Sequence, residues 1–313
     1  MDAIQKLSTR EGYGRALIEF ADKYDYFVLD SDLAEATKTI GFSKKYPERF
    51  FDMGISEGDM MGTAAGMAAC GATVFASTFA IFAAGRAYEQ VRNAICYNKL
   101  DVKVVGTHGG ILIGEDGGSH QAIEDVGLMR AIPNMSVIVP ADAIEAKFAV
   151  EASLNIKGPV YLRFGRYDVA VFNDNADYKF EFGKANILKK GSDITVIAMG
   201  DMVYEALVAA DTLAKEGISV GVINMHTVKP IDKQAIFTAL NESKHIITAE
   251  DHSVACGLYS AVAEVVVEVG GKISARVGVE DRFGQSGNRP DLQKAYGLNS
   301  ENIIAKCKEA LGK

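Results

Sequence analysis

The sequence predicts an α/β fold of two domains, each a mostly parallel sheet between helices. Three observations carry this. Short apolar runs that do not alternate with polar residues, such as YFVLD at 26–30, VKVVGT at 102–107 and VYLRF at 160–164, fit strands covered on both faces. Segments of helical character stand between them. The chain has 313 residues, and single cores stop growing near ~250–300 residues.

In order, an amphipathic helix is expected over 9–23 and a strand over 26–30. GISEGDMMGTAAGMAAC at 54–70 reads as a helix rich in Gly, Ala and Met. ATVFAS at 72–77 is a strand, and 79–98 reads as one long helix. Strands at 102–107, 136–140 and 160–164 enclose helices near 121–131 and 141–155. The stretch 165–191 is polar and aspartate-rich and reads as a linker with room for a short hairpin. The alternation then restarts with DITVIAMG, a helix over 203–216, ISVGVINM, a short helix near 232–240, HIITAED, a helix from 257 and a last helix near 300–311. The expected division is a first domain over 1–170, a linker over 171–190 and a second domain over 191–313.

Composition excludes several function classes. The net charge of −8 leaves no polybasic surface for nucleic acid or membrane. Cys70, Cys96, Cys256 and Cys307 are scattered and form no C-x-x-C, which argues against a zinc site or disulfide framework and suits a reducing cytoplasm. No run of eighteen apolar residues exists, and the first residues carry no signal-peptide pattern, so a cytoplasmic protein is expected.

Four places in the first domain could carry chemistry. Glu57 opens the 54–70 helix, where a carboxylate suits the macrodipole without further role. The helix after it is built from Gly62, Ala64, Ala65, Gly66, Ala68 and Ala69, so a carboxylate could be delivered to a close-packed seam and be partly desolvated. Composition alone leaves these two readings level. Phe79 and Phe82, three residues apart on one expected helix face, read as core when taken alone. THGGILIGEDGGSHQAIEDVGLMRAIPN at 107–134 is a glycine-rich loop after a strand, the place where α/β sheets bind ligands. Two of the chain's five histidines, His108 and His120, converge there with Asp116. That favours a site over a solvated surface loop, and the spacing matches no common metal motif. Arg163 ends the last strand of the domain. Its planar fork could bind a phosphate or carboxylate, although a solvent-facing salt bridge is the simpler reading. Arg166, past the strand, reads as structural.

Together these segments resemble transketolase over nearly the whole chain, its pyrimidine-binding domain followed by its C-terminal domain. GISEGDMMGTAAGMA, TFAIF and the 107–134 loop carry the first part. DITVIAMGDMV, INMHTVKPID and AEDHSVACGLYSAVAE resemble the C-terminal domain shared with 1-deoxyxylulose-5-phosphate synthase and the beta subunits of 2-oxo-acid dehydrogenases. The resemblance implies thiamine diphosphate as cofactor. It implies Glu57 as the activating carboxylate, Phe82 as the ring under the aminopyrimidine and Phe79 beside it. His108, Arg163 and Arg10 would hold a sugar phosphate. Asp116 would contact a substrate hydroxyl, and His120 would lie near the reacting carbonyl. Glu57, His120 and Asp116 would be catalytic. Gly85 stands where many transketolases have an aromatic residue, and Ala36 or Thr37 where they have a phosphate-binding serine.

No G-D-G occurs in the chain. The resemblance therefore implies that Mg²⁺ or Ca²⁺ and the diphosphate are held mainly by a partner, an N-terminal transketolase-type subunit in an α2β2-like heterotetramer. The implied reaction moves a two-carbon ketol unit from a ketose phosphate to an aldose phosphate, in the pentose phosphate pathway. The rivals are a 2-oxo-acid dehydrogenase beta subunit, part of a deoxyxylulose-phosphate synthase, and a non-catalytic α/β binding module.

Overall fold

The computed structural model describes residues 5–174 and 178–313. Residues 1–4 of the first expected domain and 175–177 of the expected linker lie outside the described residues.

The first half runs β1 (Lys6–Leu7), α1 (Thr9–Phe20), β2 (Phe27–Asp30), α2 (Ala34–Thr37), α3 (Ile40–Lys45), β3 (Phe50–Asp52), α4 (Glu57–Ala69), β4 (Val74–Phe79), two π-helical turns (Phe82–Arg86 and Gln90–Cys96), β5 (Val102–Thr107), α5 (Asp125–Ala131), β6 (Ser136–Ile138), α6 (Ala143–Leu154), β7 (Val160–Arg163) and β8 (Val169–Ala170). The second half runs β9 (Asn186–Lys189), β10 (Ile194–Ala198), α7 (Met202–Ala214), β11 (Val220–Asn224), β12 (Thr227–Lys229), α8 (Lys233–Glu242), β13 (His245–Ser253), α9 (Leu258–Glu268), β14 (Ala275–Val279), α10 (Arg289–Tyr296) and α11 (Ser300–Ala310).

Two main sheets result. The first has seven strands in the order β12-β6-β7-β5-β4-β2-β3, and the second has five in the order β14-β13-β10-β11-β9. All pairings within them are parallel except those of the edge strands β12 and β9. Every residue of β4, β5 and β7 is buried, as expected of strands covered by helices on both faces. Among the described residues of the 165–191 stretch no hairpin forms. Its strands β8 and β9 instead pair antiparallel with β1 and β11.

Register fixes the site. Phe79 at the end of β4 lies beside Thr107 at the end of β5, and Gly106 lies beside Arg163 at the end of β7. Three strands therefore end together, and the groups that follow them share one sheet edge. The helix α1 reaches this edge by close packing on α6, since a Cβ on Gly12 would lie 2.4 Å from the Ala143 carbonyl oxygen. Ser8 caps α1 by accepting the Glu11 N–H, which places Arg10 in its first turn.

The expected long helix over 79–98 is corrected. Phe79 still belongs to β4, and the helical segment after it contains π turns at Phe82–Arg86 and Gln90–Cys96. Wider turns at this edge set the chain off a regular helical path. Phe79 and Phe82 are thus a strand end and a helix start. No helix of the described residues is long and apolar enough to cross a membrane.

Candidate active site

Glu57 is the first residue of α4, 2% exposed, and both its carboxylate oxygens accept from Nη1 of Arg86 at 3.0 Å. The expected desolvation is therefore compensated by a guanidinium, itself half exposed. Arg86 also lies over the Phe82 ring at 4.4 Å. Nothing in the sequence marks it, because the π turn decides which way it points. The expected close-packed seam is built by Ala64, Ala65 and Ala68, whereas Gly62 and Gly66 face open space.

Phe79 and Phe82 stack with centroids 5.8 Å apart. The His108 ring stacks on Phe79 at 3.9 Å, and His120 presents an edge to Phe82 at 5.5 Å. Four rings from β4, the helical turn and both ends of the glycine-rich loop thus meet. His108 is 2% exposed and sits at φ +58, a left-handed backbone rare for a non-glycine residue. Burial first, then the charges of Arg10 and Arg166, push its pKa down to about 3, so the ring is neutral. Nη1 of Arg10 lies 3.3 Å from Nε2 and can only donate. Nε2 is therefore the acceptor, and Nδ1 carries the proton toward Thr107 Oγ1 at 3.0 Å.

Arg10 donates to the Ala36 carbonyl at 2.8 Å, and its buried Nε meets no partner. The Thr37 hydroxyl turns away to Asp30 at 2.6 Å. It is the Ala36 carbonyl that reaches the cluster.

The two arginines after the glycine-rich loop differ in burial and in partners. Arg163, expected on a ligand phosphate, is 6% exposed and points inward. Its Nε donates to Asp125 at 2.8 Å, and its Nη2 donates to the carbonyls of Ala122 and Asp251 at 3.2 and 2.9 Å. Burial opposes its charge, but Asp125 and Asp251 outweigh this and raise its pKa. Arg166, expected as structural, stands close enough to lower the pKa of both Arg10 and His108. It donates to the Ile113 carbonyl at 2.7 Å and to Asp116 at 3.0 Å. Asp116 is thus engaged by a cation. Lys38 adds to the positive potential at His108. Among the described residues, no three His, Cys, Asp or Glu side chains cluster to hold a metal.

One sheet edge thus gathers a buried carboxylate, two stacked phenylalanine rings, two histidines and the arginines Arg10 and Arg166. Residues 5–171 match the transketolase pyrimidine-binding domain and residues 183–303 the transketolase C-terminal domain. A Methanocaldococcus jannaschii protein named "Putative transketolase C-terminal section" is 47% identical over 97% of this chain and 96% of its own length. The 6-deoxy-6-sulfo-D-fructose transketolase subunit SqwH of a Clostridium species is 41% identical over 96% of this chain and 93% of its own. A solved structure described as a split gene transketolase, inactive beta4 tetramer, superposes with TM-score 0.89 at 45% identity, covering 98% of this chain and 99% of that one. The chain belongs to the transketolase family. It is similar to the C-terminal subunits of its split-gene members.

Proposed function

We propose that this chain is the subunit of a two-component transketolase that binds the aminopyrimidine of thiamine diphosphate and the substrate. It acts with a second chain that holds the metal and the diphosphate. The observation that carries this is the buried Glu57 carboxylate, joined through Arg86 to the Phe82 ring, at the sheet edge that also gathers His108, Arg10 and Arg166. The donor set fits the cofactor: a carboxyl for a ring nitrogen and a phenylalanine face for a flat heterocycle. The relatives' names support a partner chain, since they describe a C-terminal section and a subunit.

When bound, thiamine diphosphate supplies the nucleophilic carbon that takes up and passes on a two-carbon ketol unit. Glu57 would hold a proton toward the ring nitrogen of the aminopyrimidine. His120, beside Phe82, would carry protons at the reacting carbonyl and hydroxyls. Neutral His108 orients Arg10, and Arg10 with Arg166 would bind the anionic end of the sugar. Arg166 takes the part expected of Arg163. Asp116, tied to Arg166, would set that guanidinium and reach a substrate hydroxyl. The anionic end is a phosphate in a sugar phosphate, and a sulfonate is a close alternative, given the substrate in the clostridial relative's name.

Glu57→Gln should keep the fold and slow exchange of the cofactor's C2 proton in the two-chain complex by about 10²–10⁴, the usual loss for one positioned proton donor. Unchanged exchange would return Glu57 to a helix-start role. Turnover of pyruvate without ketose would move the chain to the 2-oxo-acid dehydrogenases.

A further inference from the structure

The loop between His108 and His120 carries candidate substrate groups at both ends and an apolar triad, Ile111 to Ile113, near its middle. Ile111 and Leu112 are 0% and 2% exposed and belong to the same apolar cluster as Ala198, Ala249 and Val279 of the second domain. The loop is thus rooted in the core of the other domain. Its backbone is caught there as well. The N–H groups of Ile111 and Leu112 donate to the two carboxylate oxygens of Asp251, at 2.8 and 3.1 Å. Asp251 lies in β13 and is 4% exposed. Gly110, at φ +89, makes the approach possible, because a Cβ there would lie 2.1 Å from the same carboxylate. At the base of the loop, the Gly110 N–H donates to the Ala122 carbonyl at 2.8 Å. Arg163 joins that carbonyl to the Asp251 carbonyl.

We infer that Asp251 is a positioning residue through which the second domain fixes the backbone between His108 and His120, and with it the placement of both rings against the substrate. Two N–H groups on one carboxylate are charge-assisted hydrogen bonds, stronger than neutral ones. They hold two successive peptide planes in a loop that has little regular structure to hold them. Asp251 acts through this backbone and not on the substrate. The kinetic consequence rests on the transketolase reading; the mechanical one does not.

The test compares Asp251→Ala and Asp251→Asn with the parent chain in the two-chain complex. Amide exchange by mass spectrometry, cofactor affinity by calorimetry and steady-state kinetics with a ketose phosphate are read together. With alanine, exchange over residues 109–121 should accelerate while α4 and β4 keep their protection. The kcat/KM should fall about 10²-fold, the loss typical of a 1 Å misplacement, with cofactor affinity unchanged. Asparagine keeps one acceptor oxygen and should fall between parent and alanine on both readouts. If alanine does not fold, asparagine against parent carries the same test. Unchanged exchange over 109–121 overturns the inference. So does a parallel loss of cofactor affinity and of protection across both domains, which would mark a general structural role. If the parent complex transfers no ketol unit, the functional reading fails, and loop exchange alone decides the role of Asp251.

Discussion

Arg163 and Arg166 stand three residues apart and live in opposite surroundings. Arg163 closes β7, buried, with its charge met by Asp125 at 2.8 Å and by two carbonyls. Arg166 follows a turn and joins Arg10 and Lys38 around a histidine kept neutral by burial and by their charges. One cation is fully answered from inside the chain. The other is part-exposed, pairs with Asp116 at 3.0 Å, and stands with Arg10 and Lys38 around the His108 ring. Both arginines have a carboxylate partner, and what separates them is burial: the Arg163–Asp125 pair is closed inside the fold, whereas the Arg166–Asp116 pair stays open to a ligand.

The largest effect expected from this contrast is on stability. Arg163→Ala leaves Asp125 buried without its cation, and breaking such a pair costs about 3–5 kcal/mol. Urea unfolding of the chain should show this, and a loss near zero would put Arg163 back among ligand contacts. Next comes recognition. Arg166→Ala should raise KM for a ketose phosphate about 10- to 100-fold, from the loss of about 1.5–3 kcal/mol in a charge-assisted hydrogen bond. Hydroxypyruvate, which has no phosphate, should be little affected, and stability should change by about 1 kcal/mol or less. Equal effects on both donors would dissolve the contrast.

The smallest effect is a pH dependence. His108 has a folded pKa of about 3, against an ordinary histidine value of 6.5. Between those limits the unfolded chain binds a proton that the folded chain does not, so stability falls as pH falls. His108→Asn should remove about 1 kcal/mol of the loss between pH 6.5 and 5.5. Unfolding midpoints at the two pH values measure it. Part of the acid slope should persist, because burial also pushes the pKa values of His226 and His252 down to about 4. Glu250, whose burial raises its pKa to about 8, acts the other way and loses stability as pH rises from about 4.5.

Strands buried on both faces are legible because nothing polar interrupts them. β5 matches VKVVGT residue for residue. The convergence of His108 and His120 on one loop is legible because two of the chain's five histidines stand twelve residues apart there, and the fold brings both rings to Phe79 and Phe82. Arg86 is not, since a π turn re-aims side chains without leaving a mark in hydrophobic spacing. The inward course of Arg163 is not legible either, because its partners, the Asp125 carboxylate and the Asp251 carbonyl, come from 38 and 88 residues away. The helix α10, absent from the expected elements, does carry readable signals: Asn288 as cap, a proline in its first turn and Gly297 at its end. The strand β12 has none, because three residues become a strand only by meeting β6.

That strand has a consequence for how the chain can be divided. Thr227–Lys229 comes from the second half yet forms the border of the first sheet beside β6. A gene cut in the 171–190 region would free the first half with β6 unpaired on one side, an open edge that invites association with other chains. The two halves look modular in sequence, but they are interlocked as a single inherited piece. Recombination could exchange them only together, or by carrying this short strand across the cut.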